Sequence, residues 1–304
     1  MTVTAWRVSD EVAAAVASAR PVVALETAIV THGLPHPTNV ETALGLQADL
    51  RRHGVVPASV GVVNGVPTVG LADEEIEHLG TAQGVAKAST RDLPVLVSRR
   101  ADAGTTVSAT AVLARRAGIR VFATGGIGGV HRGAATSFDE STDLTALAHT
   151  AITVVCAGIK SILDVPATLE RLESYAVTVV GFRTDRFPGF FVADSGSAAP
   201  ARVDSAADVA DVMRAADSLG LTTAVVVANP VPVDEQLDPE VHARAVQGAV
   251  DTAARLGVHG QALTPFLLDH LDRGTGGASV RANLAAVRNN VAVAGSIAKA
   301  WVAS

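Results

Sequence analysis

The stretch TTVSATAVLARRAGIRVFATGG, residues 105–126, contains one complete helix-to-strand unit. Its first part, 105–118, has apolar residues at helical spacing and ends at Gly118, a residue type that commonly terminates helices. Its second part, 119–126, is a short apolar run that leads into two glycines, as a buried strand does. Helices alternating with nearly uncharged strands are typical of a sheet that is covered by helices on both faces.

The same alternation continues along the rest of the chain. Apolar runs predict further strands at 22–30, 93–97, 151–158, 176–182 and 222–230, and helices are predicted at 9–19, 38–52, 161–174, 205–220 and from Asp238 onward. Thr38 and Glu41 form a capping-box pattern at the start of the second helix. Asn64-Gly65 lies between two apolar runs in 59–71 and predicts a hairpin, and therefore a mixed sheet. We predict one domain over 1–304, a three-layer α/β/α domain with a mixed central sheet, because no linker or repeat interrupts the pattern.

The composition excludes several classes of protein. Hydrophobic residues make up 48% of the chain and charged ones 18%, which excludes a disordered or fibrous protein. A net charge of −6 without a basic run argues against a nucleic-acid partner. Cys156 is the single cysteine, which fits a reducing compartment. The first residues show no basic region followed by an apolar core, and no apolar run reaches about 20 residues. We therefore expect a cytoplasmic protein with no secretory leader and no membrane partner.

Lys160 is the first candidate for chemistry. Only three of the 24 basic residues are lysines, and this one directly follows the apolar run 151–158. A lysine amine in apolar surroundings can become neutral near physiological pH, which a guanidinium cannot, and a neutral amine can form a Schiff base with an aldehyde. Binding of a phosphate or carboxylate, or an ordinary surface position, remains open at this point.

Glu26 lies inside the apolar run 22–30. A carboxylate in a buried strand is costly unless it is paired, so it indicates either an ion pair with a buried arginine or a functional group. The functional alternative is a general acid or base whose pKa is raised by burial.

The glycine-rich segment GGIGGVHRG, residues 125–133, follows a predicted strand. Successive backbone N–H groups in such a loop can hold an anion, although a tight turn is the simpler interpretation. His131 occupies the place of the third glycine of a dinucleotide-binding motif, so that motif is absent. His32 and His36 lack the helical spacing of a zinc motif, and we interpret 31–37 as a loop.

Three carboxylates, those of Asp139, Glu140 and Asp143, cluster in the segment SFDESTD. One or two carboxylates together with water hold Mg²⁺ or Mn²⁺ in many proteins. The alternative, which the spacing alone favours, is a solvated helix start with Ser141 or Thr142 as its cap.

The chain as a whole resembles the pseudouridine-5′-phosphate glycosidase family, also called the indigoidine-synthase-A-like family. The resemblance covers about residue 20 to the end, with its motifs in family order. The matching stretches are ALETAIVTHGLPHPTN (24–39), KASTRDLP (87–94), GTTVSAT (104–110), FATGGIGGVHRG (122–133), SFDESTDL (137–144), TVVCAGIKSILD (153–164), VVANPVP (226–232), TPFLL (264–268) and TGGASVRANLAAVRNN (275–290).

This resemblance implies reversible cleavage of the C–C glycosidic bond of pseudouridine 5′-phosphate to uracil and ribose 5-phosphate. It implies a homotrimer of α/β/α protomers with one divalent metal, usually Mn²⁺, per subunit. Lys160 matches the Schiff-base lysine, Glu26 the acid/base and Asp139 the metal position. The resemblance implies substrate contacts or active-site positions for Lys87, Val107, Thr124, His131, Ser141, Thr142, Asp143 and Asn283.

Departures from the family pattern are modest. Thr27, His36 and Thr90 stand where some relatives have Ser, Phe and Arg, and Thr142 stands where Ala is common. Thr90 leaves one phosphate-side cation in doubt. Two other interpretations stay open from the residues alone: a Schiff-base aldolase or lyase on another sugar phosphate, and a non-catalytic protein that binds a sugar phosphate.

Overall fold

The computed structural model describes residues 6–258 and 263–303, without the side chains of 264, 265 and 268. The matching stretch 264–268 therefore lies partly outside the described residues. The strands are β1 (Arg7–Val8), β2 (Val22–Leu25), β3 (Val56–Val63), β4 (Val66–Val69), β5 (Ala86–Ala88), β6 (Ala103–Thr105), β7 (Val121–Ala123), β8 (Thr153–Cys156), β9 (Thr178–Phe182), β10 (Arg202–Val203) and β11 (Val225–Ala228). The helices are α1 (Asp10–Ala17), α2 (Thr38–Arg52), α3 (Asp73–Thr81), α4 (Leu93–Arg99), α5 (Val107–Arg116), α6 (Ala134–Ser137), α7 (Thr142–Ala148), α8 (Val165–Ser174), α9 (Ala206–Ser218), α10 (Pro239–Leu256), α11 (Leu263–Gly274) and α12 (Ala278–Val302).

The strands form a mixed sheet in the order β1-β4-β3-β2-β7-β8-β11-β9-β10, with β6 paired to β3 and β5 paired to β6. The pairs from β3 through β2 to β10 are parallel, whereas β3 pairs antiparallel with both β4 and β6. The predicted hairpin is present between β3 and β4, and Asn64 and Gly65 both have positive φ, of 52° and 75°, as a two-residue hairpin turn requires. The prediction of a mixed sheet is confirmed.

Alternate residues of the central strands point to two separate apolar clusters. In β2, Val22 and Ala24 belong to a cluster that includes residues of α1, α5, α7, α8 and α10, whereas Val23 and Leu25 belong to a second cluster with residues of α2, α9 and α12. Because successive strand residues point to opposite faces, this division places helices on both sides of the sheet. The α/β/α prediction is confirmed.

Two local predictions are wrong. The run 93–97 forms helix α4, not a strand; a short apolar run fits either element, and Pro94 is well tolerated in the first turn of a helix. Helix α2 begins and ends where predicted, but Pro37 occupies its cap position and no side chain caps it, so the Thr38 capping box is not formed. One π-helical turn, Ile29–Gly33, overlaps the first residues of the predicted loop 31–37.

The parallel strands place their carboxyl ends along one edge of the sheet. Glu26 directly follows β2, Thr124 follows β7, Asn229 follows β11, and Lys160 lies four residues after β8. In open α/β sheets this edge is the usual location of ligand sites. Among the described residues, no helix is long and apolar enough to cross a membrane.

Candidate active site

A cleft of about 460 Å³ opens at this edge of the sheet. Four of the predicted site residues line it: Glu26, Lys87, Lys160 and Asn283. The rest of its wall comes from Ala28, Ile29, Thr31, His32, Gly33, Leu34, Pro35, Thr106, Gly125, Gly126, Phe190, Phe191, Asp269, Asp272, Ser279 and Val280. Residues that lie up to 257 positions apart (Glu26 and Asn283) thus share one cleft.

Glu26 receives a hydrogen bond from the hydroxyl of Thr124. Burial raises the pKa of Glu26 above its ordinary value of 4.5, against the opposing effects of the Lys160 charge and the Thr124 hydrogen bond. No arginine pairs with Glu26 within 6–258 and 263–303, so the buried ion pair that the sequence left open is not formed. A carboxyl group with a raised pKa keeps its proton to higher pH than an ordinary carboxyl group, which suits a general acid.

Lys87 and Lys160 face Glu26 from two other elements. Lys87 lies on β5, opposite Gly104 of β6, and Lys160 lies half-buried in the loop before α8. Although Lys87 is exposed at the cleft, surrounding protein atoms and then the charge of Lys160 lower the pKa of its ammonium, and Glu26 opposes this effect. In the described part of the chain, no side-chain partner satisfies the Lys160 amine, so it is free to react with or bind a ligand.

Helix α12 contributes part of the cleft wall. The side chain of Asn283 lines the cleft, and its Oδ1 atom is buried without a hydrogen-bond partner. Val107, the first residue of α5, is only 1% exposed and stands next to Thr106, which does reach the cleft. A side-chain contact between Val107 and a ligand therefore has little room, whereas Asn283 has an oxygen available to accept a hydrogen bond.

Four backbone N–H groups of the glycine loop are bound within the protein. The N–H groups of Ile127, Gly128, Val130 and His131 donate to Gly158, Asp143, Thr168 and Asp139 at 2.8–3.0 Å. A Cβ atom on Gly126 would lie 2.6 Å from Cε2 of the Phe190 ring. The close packing explains Gly126, and these four N–H groups are not available to an anion. The N–H groups of Gly125 and Gly126, which line the cleft, are not among them.

The three clustered carboxylates have separate environments. Ser141 caps α7, as one alternative predicted, by accepting from the Asp143 N–H at 3.2 Å. Asp143 is 4% exposed, and its two oxygens accept from the N–H groups of Ser108 at 2.9 Å and Gly128 at 2.8 Å. Glu140 pairs with Arg171 on α8. Asp143 thus joins the start of α5 to the glycine loop, and both oxygens are already engaged.

Thr142 and Ser108 contribute to the same junction. Their hydroxyl oxygens lie 3.2 Å apart, and Ser108 Oγ also accepts from the N–H of Thr90 at 3.3 Å. Neither Ser141, Thr142 nor Asp143 lines the cleft that contains Glu26. The structure places this run behind the glycine loop, next to the cleft wall.

Asp139 and His131 line a neighbouring cleft of about 650 Å³. Lys160 lies within electrostatic range of both Glu26 and His131, so the two clefts are adjacent. Burial and the Lys160 charge lower the pKa of His131, and Asp139 opposes this. His131 is 9% exposed, and its Nδ1 atom has no hydrogen-bond partner.

A cation held mainly by water fits these residues better than a fully protein-bound one. No group of three or more His, Cys, Asp or Glu side chains converges on a metal position in the part of the chain that the structure describes. Glu140 is engaged by Arg171 and Asp143 by backbone N–H groups, whereas the Asp139 carboxylate forms no ion pair among the described residues. The His131 Nδ1 atom, which has no hydrogen-bond partner, lies nearby. A single carboxylate with water ligands is a common arrangement for Mg²⁺ or Mn²⁺.

Several lining residues were missed by the sequence interpretation. Phe190 and Phe191 form an apolar wall, with their rings 4.4 Å apart in an edge-to-face arrangement. Adjacent phenylalanines in a chain with only 3% aromatic residues were a usable signal. Asp272 lies outside the quoted motifs; its carboxylate accepts from the Ser279 hydroxyl at 3.0 Å because the turn between α11 and α12 brings the two residues together.

The sequence model of the family described as indigoidine synthase A like protein matches residues 11–300. The chain belongs to this family. A pseudouridine-5′-phosphate glycosidase of Saccharopolyspora erythraea is 56% identical over 96% of this chain and 97% of its own length. One from Caldanaerobacter subterraneus subsp. tengcongensis is 47% identical over 95% and 94%.

Two solved structures have the same fold. An indigoidine synthase A-like protein from Thermotoga maritima superposes with a TM-score of 0.87 at 36% identity, covering 97% of this chain and 96% of its own. The prealnumycin C-glycosynthase AlnA in complex with ribulose 5-phosphate gives 0.91 at 35% identity, covering 98% and 97%. The predictions of the family and of an enzyme are confirmed by these relatives.

Proposed function

We propose that the protein is a pseudouridine-5′-phosphate glycosidase, which reversibly cleaves the C–C glycosidic bond of its substrate to give uracil and ribose 5-phosphate. The observation that carries the proposal is a lysine amine without a protein partner beside a carboxyl group of raised pKa in one cleft. Curated relatives at 47–56% identity carry this name, and a structural neighbour binds a pentose phosphate.

The reaction needs a covalent catalyst because uracil C5 is a poor leaving group. In the proposed mechanism the Lys160 amine forms a bond to C1′ as the ribose ring opens, and the ring oxygen takes up a proton. The nitrogen lone pair then expels C5, so that the C1′–C5 bond breaks, its electrons remain on uracil, and an iminium forms on Lys160. Glu26 delivers the proton that C5 receives, and water hydrolyses the iminium to ribose 5-phosphate.

The remaining predicted residues would bind the substrate. Lys87 and Asn283 line the cleft and offer a cation and an oxygen acceptor to the phosphate and the sugar or base. Asp139, with His131 beside it, would hold a hydrated divalent cation, for which the family resemblance implies Mn²⁺. Such a cation supplies positive charge and ordered water near the substrate phosphate. A homotrimer remains part of the proposal.

Borohydride trapping tests the covalent step. The protein is incubated with ribose 5-phosphate, reduced with sodium borohydride, and mapped by peptide mass spectrometry. We expect one adduct, on Lys160, and none in Lys160→Arg, whereas Lys299→Arg, the matched control on α12, keeps it. An adduct on Lys87, or no adduct in the wild type, would contradict the Schiff-base assignment.

A product assay tests the reaction itself. Uracil and ribose 5-phosphate incubated with the enzyme and Mn²⁺ should give pseudouridine 5′-phosphate, detected by liquid chromatography. Formation of an aldol product from ribose 5-phosphate, with no C-glycoside, would favour the aldolase alternative instead.

A further inference from the structure

A pair of buried amides links α12 to the strand ends beneath the cleft. Asn290 is 0% exposed, and its Nδ2 atom donates to the carbonyl oxygen of Thr124 at 2.8 Å and more weakly to that of Gly125 at 3.4 Å. Its Oδ1 atom accepts from Nδ2 of Asn229 at 2.9 Å. Asn229 is itself only 4% exposed. Both ends of the Asn290 amide are therefore satisfied.

The amide pair ties together two strands that are not neighbours. Thr124 follows β7 and Asn229 follows β11, and β8 lies between these strands in the sheet. The orientation of the Asn290 amide is fixed chemically, because its oxygen in the reverse orientation would face two carbonyl oxygens. A carbonyl buried without a donor is costly, so this hydrogen bond restricts where the Thr124 backbone can lie.

Thr124 is also the residue whose hydroxyl donates to Glu26. We propose that Asn290 is a positioning residue for Glu26: it fixes the Thr124 backbone so that the Thr124 hydroxyl is directed at the Glu26 carboxylate. This inference rests on the proposed role of Glu26 as the acid/base. Asn290 does not line the cleft, so it acts through Thr124 and not on the substrate.

Asn290→Leu tests the inference because leucine keeps the shape of asparagine and removes both polar atoms. The Thr124 carbonyl then loses its donor, the hydroxyl is no longer held on Glu26, and the carboxylate loses a hydrogen bond that stabilises its charged form. We expect kcat to fall by roughly 10- to 100-fold with little change in KM, since a small displacement of a catalytic group costs this much.

Asn289→Leu is the matched control. Asn289 is the adjacent residue of α12, and its Nδ2 atom donates at 3.0 Å to the carbonyl of Pro230, so it makes a similar bond that does not reach Thr124. The control should keep kcat within about twofold of the wild type. An equal loss in both variants would show a general effect of loosening α12 and would overturn the inference.

The titration midpoint of the Glu26 carboxyl group distinguishes a positioning role of Asn290 from a purely structural one, because a purely structural role would leave this midpoint unchanged. Proteins labelled with carboxyl-¹³C glutamate are titrated by NMR, and the Glu26 signal is assigned by its absence in Glu26→Gln. The midpoint should move to higher pH in Asn290→Leu and stay in place in Asn289→Leu. An unchanged midpoint in Asn290→Leu would refute the inference even if kcat fell.

A double variant tests whether the effect passes through Thr124. Thr124→Val removes the hydroxyl directly, so adding Asn290→Leu to it should produce little further loss of kcat; a fully additive loss would refute the coupling.

Should Asn290→Leu not fold, Asn229→Ala carries the test, because it frees the Asn290 oxygen and should shift the same midpoint in the same direction. The NMR titration needs no turnover, so it tests this inference independently of the proposed function. Failure of the proposed function would be seen separately, as a wild-type protein that is inactive on pseudouridine 5′-phosphate.

Discussion

Replacing Asp143 with asparagine separates a structural role of this residue from a substrate-binding one. Its carboxylate accepts from the N–H groups of Ser108 and Gly128 at 2.9 and 2.8 Å and is 4% exposed. An asparagine at this position would keep one acceptor oxygen but turn an NH₂ group toward the other N–H. Losing a charge-assisted hydrogen bond and leaving a buried donor unpaired should cost about 2 to 4 kcal/mol of unfolding free energy.

This cost converts to a measurable change in melting temperature. With an unfolding entropy of about 2.1 cal/mol/K per residue, a chain of 304 residues has roughly 0.6 kcal/mol/K. Asp143→Asn should therefore lower Tm by about 3 to 6 °C, measured by differential scanning calorimetry. Activity should fall as well, because the carboxylate orders the glycine loop beside Lys160.

Asp139→Asn is the matched control for Asp143→Asn. It is the same substitution four residues away, at a carboxylate with no ion pair in the described part of the chain. Its Tm should stay within about 1 °C of the wild type. A raised KM for Asp143→Asn with an unchanged Tm would refute the structural reasoning and favour the direct substrate contact that the family resemblance implies.

Three further predictions concern the carboxyl group, the cation and the glycine loop. Glu26→Gln should lower kcat by about 10²- to 10⁴-fold in a uracil-release assay. Folding raises the pKa of Glu26, so the wild type should lose stability relative to this variant as the pH rises from the ordinary pKa of 4.5 to the folded pKa. Above the folded pKa the difference in stability should stay constant. A difference in urea midpoint that does not depend on pH would contradict the raised pKa. Removing divalent cations with EDTA should lower the activity of the wild type, and adding Mn²⁺ should restore it. The activity of Asp139→Asn should respond weakly to both treatments. Full rescue of this variant at the Mn²⁺ concentration that restores the wild type would exclude Asp139 as the metal ligand. Gly126→Ala should cost about 1 to 3 kcal/mol in urea unfolding because its Cβ would overlap the Phe190 ring, whereas Gly248→Ala, in open space on α10, should be neutral or stabilising; equal effects would contradict the packing argument.

The architecture was predictable because its signals are local and repeat along the chain. Uncharged strands, helix caps such as Ser205 and the Asn64-Gly65 turn each specify their own segment, and together they specify a covered mixed sheet. The run 93–97 could not be assigned in this way, since a short, mostly apolar run suits a strand or a helix equally. Lys87 lies on β5, a strand of three residues whose pairing with β6 is visible only in three dimensions.

The candidate site was predictable only in part. Glu26 and Lys160 were unusual for their apolar surroundings, and such contrasts can be recognised from sequence. The hydrogen bonds that hold Glu26 and the glycine loop join residues far apart in the chain, such as Thr124 and Asn290. Asn283 and Asn290 are seven positions apart on α12 and so share a helix face, which was the one available signal for the buried amide.

The charges around the cleft favour an anionic ligand. Lys87 and Lys160 carry two positive charges near each other, and Lys160 accordingly lowers the pKa of Lys87. The nearest carboxyl group, that of Glu26, holds its proton to higher pH than usual because it is buried, so it neutralises little of this charge in its protonated form. Asp143 opposes the lowering at Lys87, but its two oxygens are engaged by backbone N–H groups. A phosphate dianion would supply negative charge beside these two lysines. A phosphorylated substrate is thus the class that a cleft with two lysines and one buried carboxyl group of raised pKa favours.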